Sequence, residues 1–204
     1  MKYIVFGIIF MFSSSLYAQE EVLFDRVIVH GGFGGPIIEL SDLHNQSGVW
    51  AGGGGGVIVN DLFFGFFGQG SDFAEHIIDG KEYPLEFAYG GLWLGFVRPT
   101  HKVVHFTGGL KIGGGGISIK DNREDQADPL YKETVFVAQP EVGVELNLFK
   151  WFRIALTGGY RFVSGVQQQN LAGLNNRDFN SGTLALTLRF GKFYKSRDND
   201  GVRD

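Results

Sequence analysis

The chain has 204 residues, a length suited to one domain, with 32 glycines, 20 phenylalanines and no cysteine. The missing cysteine excludes a disulfide scaffold and a Cys-ligated metal site, and a net charge of -4 at pH 7 gives no electrostatic reason to expect nucleic acid. No apolar run approaches the ~20 residues of a spanning helix, which excludes a helical membrane protein. A membrane barrel escapes that test, because its alternate residues face lipid and lumen and average to a neutral hydropathy.

Residues 1–18 read as a secretory signal peptide. Lys2 supplies the positive start, 3–12 are apolar, and Ser13, Ser14 and Ser15 lead to a cut after Ala18. Leu16 is larger than the small residue usual two places before the cut. Residues 19–194 then form the expected barrel domain, and 195–204 a polar, Asp-rich tail. Eight segments follow in order: 26–38, 48–60, 62–71, 85–98, 103–119, 134–148, 152–165 and 182–193. Each is long enough for a tilted bilayer strand of roughly 9–11 residues.

The connections between them alternate. Asn60-Asp61, Pro99-Thr100-His101-Lys102 and Phe149-Lys150-Trp151 are short, while 41–47, 72–84, 120–133 and 166–181 are longer and polar. Short periplasmic turns and long extracellular loops produce that asymmetry in an outer-membrane barrel. A soluble sandwich has no reason to sort its loops by end.

Side-chain parity supports the same reading. In 152–165, Phe152, Ile154, Leu156, Tyr160 and Phe162 share one face, and Arg153, Thr157 and Arg161 the other. An arginine turned to lipid near the midplane costs about 2–4 kcal/mol, so the arginines face the lumen. Leu184, Leu186, Leu188 and Phe190 alternate with Thr183, Ala185, Thr187 and Arg189 in the last segment; Val142, Val144, Leu146 and Leu148 alternate with Glu141, Gly143, Glu145 and Asn147 in the sixth. Segments 48–60 and 62–71 are apolar or glycine on both faces and set no register. In 85–98, Phe87 and Tyr89 have the opposite parity to Leu92, Leu94 and Phe96, so a bulge is expected at Gly90-Gly91. Phe63, Phe64, Phe96, Phe149, Trp151, Phe152, Phe190 and Phe193 gather beside the short turns, as an interfacial aromatic girdle would.

The signal ending Leu16-Tyr17-Ala18-Gln19, the eight alternating segments and the closing run from Gly182 to Phe190 resemble small outer-membrane barrels of the OmpA and OmpX type, in particular the outer membrane protein beta-barrel families of Bacteroidota. The closing run is similar to the C-terminal assembly signal of such proteins, although fourteen residues follow Phe190 here. The resemblance covers 26–193 and is one of architecture. It implies an all-β, eight-stranded antiparallel transmembrane barrel in the outer membrane, with lipid and lipopolysaccharide around it and the barrel assembly machinery as a partner. It implies no substrate.

Several groups invite chemistry. The glycine clusters at 31–35, 52–56 and 113–116 lack the Lys-Ser/Thr step of a phosphate loop and are expected to let a narrow barrel bend and pack. Arg153, Arg161, Arg189, Glu141 and Glu145, with Lys111, His105, Glu86, Arg26 and His30, are expected in the lumen. An eight-stranded barrel is only wide enough for side chains to fill, so these charges should pair into a plug instead of lining a channel. Five histidines raise an acyl-modifying enzyme acting on lipid A, but no His-x-Ser occurs and only His44 and Ser47 share an expected loop. Asp198, Asp200 and Asp204 resemble the start of an Asp-rich calcium repeat; a solvated tail is the stronger expectation. The leading reading is a non-enzymatic integral outer-membrane protein with no cofactor, acting in envelope structure or surface contact through its loops. The alternatives are a soluble exported barrel with Leu184, Leu186, Leu188 and Phe190 turned inward onto an apolar ligand, and the acyl-modifying enzyme.

Overall fold

A computed structural model describes residues 29–98, 102–120, 130–169 and 171–193. The signal peptide, Arg26, the side chain of His30 and the calcium candidates Asp198, Asp200 and Asp204 lie outside the described residues. Eight strands follow in chain order: β1 (Val29–Leu43), β2 (Gln46–Val59), β3 (Leu62–Ile78), β4 (Lys81–Arg98), β5 (Val104–Ile119), β6 (Tyr131–Phe149), β7 (Phe152–Ser164) and β8 (Ser181–Lys192). Each pairs antiparallel with its chain neighbours, and β1 closes on β8 to complete the barrel. Closure leaves no sheet edge, which is what lets a sheet sit in hydrocarbon.

The alternation read from the last three segments holds. Arg153, Ala155, Thr157, Arg161 and Val163 are buried on β7, while Leu156, Tyr160 and Phe162 are exposed. On β8, Thr183, Ala185, Thr187 and Arg189 are buried, and Leu184, Leu186 and Phe190 are exposed at 48%, 38% and 42%. A soluble barrel with an apolar ligand inside needs the opposite parity, so these values overturn that alternative. The chain is a barrel with a greasy outside and its charged groups inside among buried rings, suited to lipid.

The glycine-rich strands take their register from rings. Trp50 and Ile58 on β2 and Phe63 and Phe67 on β3 point inward, while Val49, Val57, Phe64 and Phe66 point out. A side chain at Gly54 would meet Trp93 Cε3 at 3.1 Å and Phe67 Cβ at 3.2 Å, and one at Gly95 would run into the Phe63 ring. Large rings are accommodated because glycine stands opposite them, as the packing role expected of the clusters requires.

Three expectations are corrected. There is no bulge at Gly90-Gly91, because the β3–β4 register runs unbroken through both; the shift lies in β3, between Ser71 and Ala74. Phe87, Tyr89 and Trp93 are buried and Leu92 and Phe96 exposed, so the clashing parity reflects aromatic rings packed inside. The connections 41–47 and 72–84 are hairpin tips, not long loops: β1 and β2 are separated by His44 and Asn45 alone, β3 and β4 by Asp79 and Gly80. Both residues of each turn have positive φ (49° and 61°, 52° and 76°), the conformation that tight hairpins impose and that Asn and Gly tolerate best. Strands of 17 and 18 residues in β3 and β4 exceed the roughly 9–11 needed to cross a bilayer, so their hairpin rises beyond the belt.

Two ladders are interrupted. Between β1 and β8 the pairs stop at Gly34↔Phe190 and resume at Ile37↔Thr187; between β6 and β7 they stop at Ala138↔Phe162 and resume at Glu141↔Gly159. Pro36 and Pro140 sit in the gaps, each lacking the N–H that a ladder requires.

Replacing Leu186 by Arg should destabilise the vesicle-inserted barrel by about 2–4 kcal/mol, as expected for a midplane lipid-facing site. Urea unfolding in vesicles measures this; an unchanged midpoint would contradict the outward assignment of Leu186.

Candidate functional site

The lumen is filled in three tiers. At the end bearing the short turns, Glu145 is the hub: Arg153 Nη1 donates to its Oε1 at 2.8 Å, Arg189 Nη1 to its Oε2 at 2.5 Å, and His105 Nε2 lies 2.9 Å from Oε1. The side chains of His105 and Glu145 are fully enclosed. Midway, Lys111 Nζ pairs with Glu141 Oε2 at 3.2 Å and Trp93 Nε1 donates to Glu141 Oε1 at 2.9 Å. Toward the opposite end, Gln69 Nε2 donates to the Tyr89 hydroxyl, Tyr89 to Gln139 Oε1, and Gln139 Nε2 to Glu39 Oε2, at 2.6, 2.5 and 2.7 Å. Arg161 Nη1 closes that tier on Glu39 Oε1 at 3.4 Å and Ser41 Oγ at 3.1 Å.

Among the described residues, the buried acidic side chains Glu39, Glu141 and Glu145 face four buried basic ones, Lys111, Arg153, Arg161 and Arg189. The imbalance is met by ring faces. Arg153 lies 3.9 Å from the Phe193 centroid and Arg161 4.0 Å from that of Trp50, while Arg189 lies 4.8 Å from Phe33. A desolvated cation gains about 2 kcal/mol from such a face. With Lys111 5.4 Å from the Trp93 centroid, each of these four basic groups has both a carboxylate and a ring beside it.

Above Arg161 the barrel mouth is closed by apolar side chains. The 166–180 connection folds back through a short 3-10 turn, Asn176–Phe179, with a capping box between Asn175 and Asp178. Leu171, Leu174 and Phe179 are buried and belong to the same apolar cluster as Leu43, Leu85 and Val163, with the Phe179 ring 5.8 Å from that of Phe87. Arg161 fixes this lid by donating from Nε to the Phe179 carbonyl at 3.1 Å and from Nη2 to the Asp42 carbonyl at 2.7 Å.

The expected lumen residues Arg153, Arg161, Arg189, Glu141, Glu145, Lys111 and His105 are thus brought together. Glu86 is not: it has outward parity and pairs with Lys120 at 2.7 Å on the exposed wall of the β4–β5 extension, where a charge meets water. In the aromatic girdle, Phe149, Trp151, Phe152 and Phe190 stack outside, with Phe152 and Phe190 4.7 Å apart. Phe63 and Phe193 are corrections. Both are buried inside, Phe193 over Arg153, because the lower cations need ring faces. Glu39, Gln69 and Gln139 were missed; Glu39, the one acid in an apolar stretch, lay just past the expected end of the first strand. His44 and Ser47 do not meet: Ser47 Oγ donates to Asp42 Oδ1 at 2.5 Å, while His44 faces His76 and Asp178.

No family model matches the chain, and no curated protein matches it. Among solved structures it is similar to Neisserial surface protein A (NspA), with TM-score 0.59 and 15% identity over 78% of this chain and 95% of that one. It also matches Ail, the attachment invasion locus protein of Yersinia pestis, in complex with the heparin analogue sucrose octasulfate, with TM-score 0.49 and 14% identity over 79% of this chain and 96% of that one. The first likeness is one of fold, and the fold is that of the small eight-stranded outer-membrane barrels.

Glu145→Gln should destabilise the protein by about 3–5 kcal/mol, since two enclosed guanidinium groups lose their shared countercharge. Equilibrium unfolding in detergent measures the loss. A change below ~1 kcal/mol would show that the ring faces alone support the pair.

Proposed function

We propose that this chain is a non-enzymatic integral protein of the outer membrane whose lumen is sealed and whose working surface is the rim carrying the β1–β2 and β3–β4 tips and the 166–180 lid. The carrying observation is the inverted parity, with Leu156, Phe162, Leu184 and Leu186 outside and Arg153, Arg161 and Arg189 enclosed. Lipid and lipopolysaccharide are the natural surroundings of such a wall, and the alternating β8 strand suits recognition by the barrel assembly machinery. The sealed interior speaks against a channel. An eight-stranded cylinder has room only for side chains, and this one has them paired from end to end. The acyl-modifying reading loses support because the one Ser–His combination offered by the sequence is held apart.

Recognition on such a scaffold belongs to what projects from it. Ile77 is 63% exposed at the raised β3–β4 hairpin, flanked by Glu75 and Glu82. An apolar residue held by a stiff two-stranded arm loses little entropy on binding, which suits protein or polysaccharide contact at the cell surface.

The protein should stay in the carbonate-washed membrane pellet and run with heat-dependent gel mobility; release into the supernatant would remove the membrane reading. In planar bilayers it should give no steady ohmic conductance, and a stable open level would refute the seal. Shortening the β3–β4 hairpin to end at a new Asp-Gly turn should abolish capture of proteins or polysaccharides at the cell surface while heat-dependent mobility persists. Binding equal to the parent would move the working surface elsewhere.

A further inference from the structure

Two histidines meet at the rim. His44 stands in the β1–β2 turn, and His76 near the β3–β4 tip on the inner parity. His76 Nδ1 lies 3.4 Å from His44 Nε2, with the ring planes at 78°. The far nitrogen of each ring faces an oxygen that can only accept. His76 Nε2 is 3.2 Å from the Ala172 carbonyl, and the enclosed His44 Nδ1 faces Asp178 Oδ1 at 3.6 Å. A metal on the near nitrogens would leave the ring protons on these far ones, beside oxygens that accept them. The two near nitrogens stand on either side of one gap, 3.4 Å across.

The spacing suits a metal ion. Two nitrogens each at about 2.0–2.1 Å from a tetrahedral metal are separated by about 3.3–3.4 Å. The observed gap matches the metal. Oxygens stand behind both rings, the Ala172 carbonyl within hydrogen-bond range of His76 and the Asp178 carboxylate just beyond that range from His44; oxygens that bond the far nitrogens of ligating imidazoles orient the rings and raise their basicity. Asp178 is held for that task, since its Oδ2 accepts from Asn175 N at 2.8 Å and its carbonyl accepts from His44 N at 2.8 Å. A cleft of about 410 Å³, lined by His44, Gln46, Glu75, His76, Ile77 and Glu82, opens on the pair and lends it negative potential and room for water.

We infer that His44 Nε2 and His76 Nδ1 together bind one divalent transition-metal ion of the zinc class, with water completing its coordination. Among the described residues no third His, Asp or Glu converges on the point, so the affinity is that of a two-imidazole site, and neutral imidazole favours zinc, copper or nickel over calcium or magnesium. Bound there, the ion would fasten two hairpins together and, through Asp178 and Ala172, to the lid. This holds whatever the rim recognises.

The test is calorimetric titration of Zn²⁺ into the full, untagged protein in detergent near neutral pH. One saturable site is expected, weakened at least about tenfold in His44→Gln and in His76→Gln and by about tenfold in Asp178→Asn, which keeps both rings but removes the negative charge behind one. His101→Gln should bind as the parent does. No saturable heat in the parent, with the imidazole nitrogens sharing only a proton by NMR, would overturn the inference, as would full binding in the double histidine variant. Should a histidine variant fail to show heat-dependent gel mobility, X-ray absorption of the zinc-loaded parent decides: two imidazoles around the metal support the site, fewer overturn it.

Discussion

The width of the cylinder governs everything else in this protein. Eight tilted strands enclose a space that side chains fill completely, so each inward residue must find its complement in shape and charge at once. Shape is matched by setting rings such as Trp93 and Phe63 against glycines at 54 and 95. Charge is matched by giving each cation both a carboxylate and a ring face, as Arg189 has Glu145 and Phe33. Neither device works alone. Without the glycines the rings do not fit, and without the rings the surplus positive charge has nowhere to rest.

This division explains what could be read in the sequence. On β7 and β8 one face is greasy and the other is charged or hydroxylated, so parity names the lumen directly, and Arg153, Arg161 and Arg189 are where it puts them. On β2 and β3 both faces are glycine or apolar, and alternation carries no sign; only the partner rings decide it. The same ambiguity made Phe87 and Tyr89 look out of step with Leu92, because a ring facing the lumen and a leucine facing lipid are equally hydrophobic on paper. The hairpin tips failed for a different reason. Asp79-Gly80 is a strong turn signal, yet the polar residues around it suggested a loop, since strands that rise past the bilayer lose the greasy face by which they are recognised. Glu39 was missed because the first strand runs on to Leu43.

The rim is as constructed as the interior. The lid closes the mouth with Leu171, Leu174 and Phe179, and its capping box sets Asp178 behind His44. The only described connection of real length is thus folded onto the barrel, while the freely projecting element is the β3–β4 arm. Rigidity at the rim and a solid interior go together, since Arg161 belongs to both.

The proline breaks at 36 and 140 flank one hairpin, β7–β8, on its two sides. Arg189 and Arg161 are among the residues left out of those ladders, yet they reach across the interior, Arg189 to Glu145 of β6 and Arg161 to Glu39 of β1. The wall is therefore like a cask with one loose stave, held by cross-braces from within where its edges are not glued. Any sideways parting of the wall, whether to admit the hairpin last during assembly or to yield under load, would begin along that stave and be resisted by two arginines.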